Sequence, residues 1–164
     1  MTGRVTKKEY LLKPGYMILT GEPMLVYMIL GSSVAVILCD QAHHVSGCCQ
    51  FILPRPAELE EKRPIHGSVA IQGLLNMVCG HGGSPSEIEA QVIGGSDLPG
   101  RTRGRENAEI AKTILARRGV RITSIDTEGE KARKVIYNSE TNHVAIIKVD
   151  KIRSTDWYPS EGGT

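Results

Sequence analysis

The sequence predicts a single α+β domain in which two helices cover one face of a layered β-sandwich. Apolar runs of strand length recur along the chain, each bounded by Gly, Pro, Asn or Ser. Two longer segments instead repeat their apolar residues at helical spacing. The length of 164 residues fits one domain with a hydrophobic core of its own. Many short strands combined with a few amphipathic helices are typical of the α+β class.

The first half of the chain is predicted to be mostly strand. Residues 24–30 and 34–39 are apolar almost throughout, as in strands that are buried on both faces. Gly31, Ser32 and Ser33 between them require a sharp turn, where strained backbone can present a side chain. Shorter strands are expected at residues 10–12, 16–19 and 49–53, the last of them stopped by Pro54.

The second half contains both predicted helices. Ser68 is expected to cap the first, which ends at the glycine-rich residues 80–83. The second spans residues 105–118 and has Gly119 as its C-terminal cap. Further strands are expected at residues 88–93 and 120–125, and residues 132–137 and 143–149 form a hairpin.

The ends of the chain are predicted to lie outside the domain. We expect a flexible N-terminus at residues 1–9, the domain at residues 10–149 and a polar tail that frays at residues 150–164. No apolar run approaches the ~20 residues that a membrane span needs, and the polar start lacks a signal sequence. The prediction is a cytoplasmic protein without membrane insertion. The formal charge of +2 is too small to indicate a partner.

No metal, cofactor or nucleic acid is predicted. Cys48 and Cys49 are adjacent on a strand and would point to opposite faces, so they do not form a zinc-binding pair with the nearby His43. The four cysteines are read as thiols. The glycines at residues 80–83 and 94–95 lack the lysine and hydroxyl of a phosphate loop and are read as turns. The basic residues at 101–105 are followed by acidic residues such as Glu106 and Glu109, and stacking aromatics are absent, which argues against nucleic acid.

Several motifs, in a fixed order, resemble those of one protein family. Residues 30–36 read Leu-Gly-Ser-Ser-Val-Ala-Val and residues 47–54 read Gly-Cys-Cys-Gln-Phe-Ile-Leu-Pro. They are similar to Leu-Gly-Ser-Cys-Val-Ala-Val and Gly-x-x-His-x-x-Leu-Pro of the CheD family, glutamine deamidases that act on bacterial chemoreceptors. Further similar segments lie at residues 70–78, 89–95, 104–107 and 126–133. The resemblance implies a β-sandwich with helices on one side, shared with deamidating toxins of the cytotoxic necrotizing factor type.

The resemblance also indicates that the catalytic residues are replaced. The family uses a Cys and a His, assisted by an upstream Thr. Ser33 and Gln50 stand at the matching positions of Cys and His, and residues 26–29 contain no Thr. A serine attacks an amide only if a base removes its proton, and a glutamine carboxamide cannot do so. A single Cys-to-Ser exchange would explain Ser33 but neither of the other two departures. We therefore expect the deamidase step to be lost, with Gly31, Ser32 and Tyr27 contributing to a binding site.

Alternatives remain at this site. Cys49 is a substitute nucleophile if a bulge in its strand turns it toward Ser33, and His66 or His81 is then a candidate base. Ser33 and Gln50 either hold a partner's side chain without cleaving it or only satisfy each other. The leading hypothesis is a protein that binds methyl-accepting chemoreceptors or a CheC-type phosphatase, both partners being implied by the resemblance. Two other hypotheses about function remain: an active receptor deamidase with an altered nucleophile, and a domain recruited to an unrelated task.

Overall fold

The chain folds into two β-sheets packed face to face, with two helices on the outer face of one sheet. A computed structural model describes residues 7–100, 103–153 and 156. The strands are Lys8–Leu11 (β1), Met17–Thr20 (β2), Met24–Leu30 (β3), Val34–Asp40 (β4), Val45–Phe51 (β5), Glu89–Gly94 (β6), Arg121–Thr127 (β7), Ala132–Asn138 (β8) and His143–Val149 (β9), and the helices are Gly67–Cys79 (α1) and Gly104–Arg117 (α2).

The two sheets differ in size and in their strand order. The larger has the order β2-β5-β4-β6-β7, and the smaller has the order β1-β3-β8-β9. Neighbouring strands are antiparallel except β6 with β7 and β1 with β3. One core cluster lies between the sheets, and the other lies between the larger sheet and the helices. The predicted α+β sandwich with helices on one face is confirmed.

Strand β4 is the centre of the fold because it contributes to both cores. Its even-numbered residues, such as Val36, pack under the helices, and its odd-numbered residues, such as Ile37, pack between the sheets. All seven of its residues are buried. The unbroken apolar pattern of this segment follows from burial on both faces.

The first helix begins differently from the prediction. Its N-cap residue is His66, and Ser68 lies inside the helix without capping it. The free amides of the first turn are instead bound by the segment after β5, because Gly67 N donates to Leu53 O at 2.7 Å and Ser68 N donates to Pro54 O at 3.0 Å. These long-range bonds make a side-chain cap unnecessary. The predicted end of this helix, before Gly80, is confirmed.

The second helix matches its prediction closely. It spans Gly104–Arg117, and Gly119 follows with a φ of 73°, the left-handed conformation expected of a C-terminal glycine. Its buried residues lie on one side of the helix, against the larger sheet.

Two boundaries are corrected at the N-terminal side. Strand β1 begins at Lys8, within the segment predicted to be flexible, because Lys8 and Glu9 pair with β3. Strand β5 begins at Val45 rather than at residue 49, because its first half pairs with β4.

Much of the predicted C-terminal tail lies outside the described residues, as do residues 1–6. Within its described part, Asp156 pairs with Lys134 of β8 at 2.5 Å. No helix in residues 7–100 and 103–153 is long and apolar enough to cross a membrane.

Candidate functional site

The Gly31-Ser32-Ser33 turn carries the chain from the smaller sheet to the larger one. It connects β3 to β4 at one end of the sandwich. Each of its three carbonyl oxygens accepts one hydrogen bond: Gly31 O from Ser96 N at 3.0 Å, Ser32 O from Asn107 Nδ2 at 2.9 Å, and Ser33 O from Gly95 N at 2.9 Å. The backbone of the turn is therefore fixed by groups from two other segments.

Glycines at the end of β6 make this arrangement possible. Gly94 and Gly95 have φ values of 106° and 69°, which residues with a side chain rarely adopt. A Cβ at Gly94 would overlap Ser33 O, and a Cβ at Gly95 would lie 2.6 Å from Gly104 O. The two glycines therefore let the loop, the turn and the start of α2 approach one another closely. These residues are not the predicted turn, because Gly94 ends β6 and pairs with Val34 and Thr127, while Gly95 N donates to Ser33 O just after the strand.

Ser33 and Gln50 meet directly at this end of the sandwich. Gln50 Nε2 donates to Ser33 Oγ at 3.0 Å and to Ile29 O at 2.9 Å. Ser33 is 5% exposed and Gln50 is fully buried. The carbonyl oxygen of the Gln50 side chain has no hydrogen-bond partner among the described residues. A neutral carboxamide thus ties the serine hydroxyl to the backbone of β3.

This contact gives Ser33 no means of losing its proton. The Gln50 amide nitrogen donates toward the hydroxyl oxygen, and a carboxamide nitrogen has no lone pair available to accept a proton. Within the described residues, Gln50 is the side chain recorded in hydrogen-bond contact with the Ser33 hydroxyl. The pair can hold or exclude a ligand, but it lacks the base that a serine nucleophile needs.

Cys49 lies on the other face of β5. It belongs to the cluster under the helices, while the neighbouring Gln50 contacts Ser33. The pairing of β4 with β5 is continuous from Val34 to Asp40, without the bulge that would turn Cys49 toward the serine. Burial raises the pKa of the Cys49 thiol to about 12, against a small lowering by a backbone hydrogen bond with Val36. This thiol is protonated at neutral pH.

Neither candidate histidine is recorded in hydrogen-bond contact with Ser33 among the described residues. His66 is fully buried, with Nδ1 3.2 Å from Arg63 O and Nε2 3.2 Å from Glu60 Oε1. His81 is exposed and follows α1. The neighbouring Gly83 approaches Asp40, at the far end of β4 and about 20 Å along the strand from Ser33.

The remaining predicted binding residues do not lie together in the structure. Gly31 and Ser32 form the turn itself and are buried. Tyr27 alternates with Val26 and Met28, which point into the inter-sheet core, so its side chain lies on the outer face of the smaller sheet. Its hydroxyl donates to Glu9 Oε1 at 3.4 Å. Tyr27 therefore does not share the turn's surroundings.

The structure adds two groups that the sequence did not assign to the site. Ile29 contributes its carbonyl oxygen to Gln50, and no sequence pattern indicates such a backbone contact. Asn107 is fully buried in α2 and donates to both Ser32 O and Ile52 O, at 2.9 and 3.0 Å. The similarity of residues 104–107 to a family motif was the available signal, and it suggested only a structural role at the start of the helix.

Comparison with known proteins identifies the family of this chain. A profile of the family described as "CheD chemotactic sensory transduction" matches residues 52–148, which is more than half of the chain. The chain belongs to the CheD family. The match begins just after Gln50, so both residues of the buried pair lie outside it.

Two relatives are similar over most of their length. The probable chemoreceptor glutamine deamidase CheD 2 of Geobacter sulfurreducens is 28% identical over 157 residues, which cover 92% of this chain and 97% of that protein. The probable chemoreceptor glutamine deamidase CheD of Trichlorobacter lovleyi is 32% identical over 144 residues, with 85% and 89% covered. A crystal structure of Neisseria meningitidis protein NMB0706 covers 68% of this chain and 52% of that one, at 14% identity and a TM-score of 0.41.

Proposed function

We propose that this CheD-family protein binds chemoreceptors without hydrolysing their glutamine side chains. The observation that carries the proposal is the 3.0 Å hydrogen bond from Gln50 Nε2 to Ser33 Oγ. The resemblance to the family matches these residues to its catalytic Cys and His. Here a weak nucleophile is in contact with a group that cannot take its proton.

The expected loss of activity is large. Amide hydrolysis needs a nucleophile, a base and a donor that protonates the departing ammonia. In comparable hydrolases, removal of the nucleophile or the base lowers kcat by about a millionfold. The small activity that remains comes from substrate binding and from the donors that stabilise the oxyanion. A protein at that level contributes no useful turnover. Its influence on a receptor then depends on binding.

The alternative is an active receptor deamidase that uses Cys49. Its position on the opposite face of β5, its raised pKa and the continuous pairing of β4 with β5 all disfavour it. A thiol must be ionised and accessible to attack a carbonyl group.

The partners and the compartment belong to the same proposal. Receptors are supported by the names of the relatives, which are called probable chemoreceptor glutamine deamidases. A CheC-type phosphatase is a second partner, suggested only by the family resemblance. We place the protein in the cytoplasm, where it would meet the signalling part of a receptor.

The proposal is tested by measuring hydrolysis and binding on the same receptor cytoplasmic fragment. The fragment is incubated with this protein or with an active family member, and both released ammonia and the mass of the fragment are followed. Binding is measured in parallel by titration calorimetry. We expect binding without ammonia release, whereas the active member releases ammonia.

The other outcomes distinguish the competing hypotheses. Ammonia release at an enzymatic rate that disappears in a Cys49→Ala variant would establish the altered nucleophile. Failure to bind either the receptor fragment or a CheC-type phosphatase would contradict the binding role and favour recruitment to another task.

A further inference from the structure

Three potential metal ligands converge at the end of the sandwich opposite Ser33. Asp40 is the last residue of β4, His43 lies in the connection to β5, and Glu87 ends a short 3-10 turn, Pro85–Glu87, that precedes β6. One ligand atom from each residue lies within 4.8 Å of the other two. The three residues come from two segments more than 40 positions apart, so the fold, and not local sequence, brings them together.

Asp40 is an unusual member of this group because it is completely buried. Its carboxylate accepts a hydrogen bond from His43 N at 3.2 Å, and its Oδ2 lies 2.8 Å from His43 Nδ1. Among the described residues, no Lys or Arg forms an ion pair with it. Buried carboxylates in proteins are normally paired with a cation or coordinate a metal ion. A single half-exposed imidazole is a weak counter-charge for this one.

The glycine-rich loop after α1 is shaped around the same pair. A Cβ at Gly83 would overlap Asp40 Oδ2, and a Cβ at Gly82 would lie 3.2 Å from His43 Nε2. The absence of side chains at both positions lets the loop backbone close over the aspartate and the imidazole. This contact accounts for a motif, residues 80–83, that the Ser33 site does not use.

The thiol of Cys79 lies near two of these three residues. Burial raises its pKa, and the nearby carboxylates of Asp40 and Glu87 raise it further, while Arg118 lowers it. Cys79 is the last residue of α1 and is only partly buried. A sulfur atom therefore lies at the border of the three potential ligands.

We propose that Asp40, His43 and Glu87 form a binding site for one divalent transition-metal ion. An imidazole nitrogen with two carboxylate oxygens is a donor set that zinc accepts, at distances of about 2.0–2.2 Å. Such a set excludes Mg²⁺ and Ca²⁺, which prefer oxygen ligands alone. Zinc binds mixed nitrogen and oxygen sites more tightly than manganese or cobalt. Three protein ligands leave one tetrahedral position for water. The bound ion supplies the counter-charge for Asp40 and ties the β4–β5 connection to the turn before β6.

The test uses the full chain and measures zinc directly. The protein is treated with a chelator, dialysed and then titrated with ZnCl₂ by calorimetry, with the bound zinc counted by elemental analysis. MgCl₂ serves as the ion that should not bind. We expect one zinc ion per chain and a rise in the thermal unfolding temperature on zinc addition, because a ligand that binds only the folded state stabilises it.

Two variants remove exposed ligands, and one variant is a matched control. His43→Gln and Glu87→Gln keep similar shapes, and each should weaken zinc binding by at least about tenfold. His44→Asn changes the neighbouring exposed histidine, which has a φ of 55° that Asn tolerates well, and should bind zinc as the natural protein does. Equal affinity in His43→Gln and His44→Asn would refute the site, as would the absence of zinc binding to the natural protein.

The cysteines provide a competing explanation that the same experiment resolves. A Cys79→Ser variant should retain zinc if the three proposed residues are sufficient. Loss of zinc in Cys79→Ser, with full retention in Glu87→Gln, would assign binding to the thiol and overturn the proposed ligand set. None of these variants touches Ser33 or Gln50, so failure of the metal site leaves the proposed receptor-binding role unaffected.

Discussion

Asn107 offers the sharpest test of how the Ser33 turn is held. Asn107→Ala removes two donors and leaves Ser32 O and Ile52 O without their side-chain partner. An unsatisfied buried acceptor costs about 1–3 kcal/mol, so two cost about 2–6 kcal/mol. Two gains oppose this loss. Alanine forms helix more readily by roughly 0.6 kcal/mol, and the change also removes the unpartnered Asn107 Oδ1, worth about 1 kcal/mol. The net expectation is a loss of about 0.4–4.4 kcal/mol.

The free energy of unfolding is measured by urea denaturation followed by circular dichroism. Glu106→Ala, which changes the preceding and exposed residue of α2, is the matched control and should lie within about 0.5 kcal/mol of the natural protein. Asn107→Asp keeps the shape but directs a carboxylate toward two carbonyl oxygens, and it should destabilise more than Asn107→Ala. If Asn107→Ala is as stable as the Glu106→Ala control, the two hydrogen bonds do not hold the turn.

Three further predictions concern single groups. In a Ser33→Cys background, adding Gln50→His should accelerate alkylation of the new thiol, because an adjacent imidazole lowers a thiol pKa; equal rates would mean that position 50 does not act on position 33. In the folded natural protein, Cys49 should resist iodoacetamide at mildly alkaline pH, since burial raises its pKa to about 12, and peptide mapping that finds it rapidly modified would contradict its burial. Burial raises the pKa of Asp126, but hydrogen bonds from Arg133 and a neighbouring lysine outweigh this and lower it overall. Its ionised form therefore stabilises the fold above the ordinary pKa of about 4, and this contribution is lost as the pH falls through the lowered value. Asp126→Asn should flatten the acid side of the stability profile in urea unfolding, and an unchanged profile would refute this assignment.

The sequence predicts the elements whose pattern is set by burial. The unbroken apolar run of β4 and the helical spacing of α2 both appear in the structure, and the strand at residues 143–149 has the bounds that were predicted. The start of β5 could not be predicted, because Val-Ser-Gly-Cys lacks strand character and becomes strand through pairing with β4. The start of α1 depends on carbonyls of Leu53 and Pro54, which Ser68 does not reveal.

The site was less accessible to sequence reasoning than the fold. The contact between Ser33 and Gln50 was expected from family resemblance, and no spacing rule places residues 17 positions apart in hydrogen-bond distance. Sequence reasoning groups Tyr27 with Gly31 and Ser32, whereas its side chain lies on the outer face of the smaller sheet. Nearly every residue of β3 is apolar, which hides the alternation of its two faces. Asn107 reaches the turn across 75 positions of sequence, through the packing of α2 on the larger sheet.

The way the turn is held explains how the fold tolerates different side chains at positions 33 and 50. Its three carbonyls are bound by two backbone amides and by Asn107, none of which depends on the side chain at position 33 or 50. The neutral Ser33 and Gln50 pair is buried with one hydrogen bond between the two side chains and one to Ile29 O, while Gln50 Oε1 has no partner among the described residues. An unpaired buried acceptor costs about 1–3 kcal/mol. Different side chains at positions 33 and 50 therefore leave the backbone of the turn in place. Under the proposed binding role, a partner contacts the surface around the turn, and that contact does not require Ser33 to be exposed.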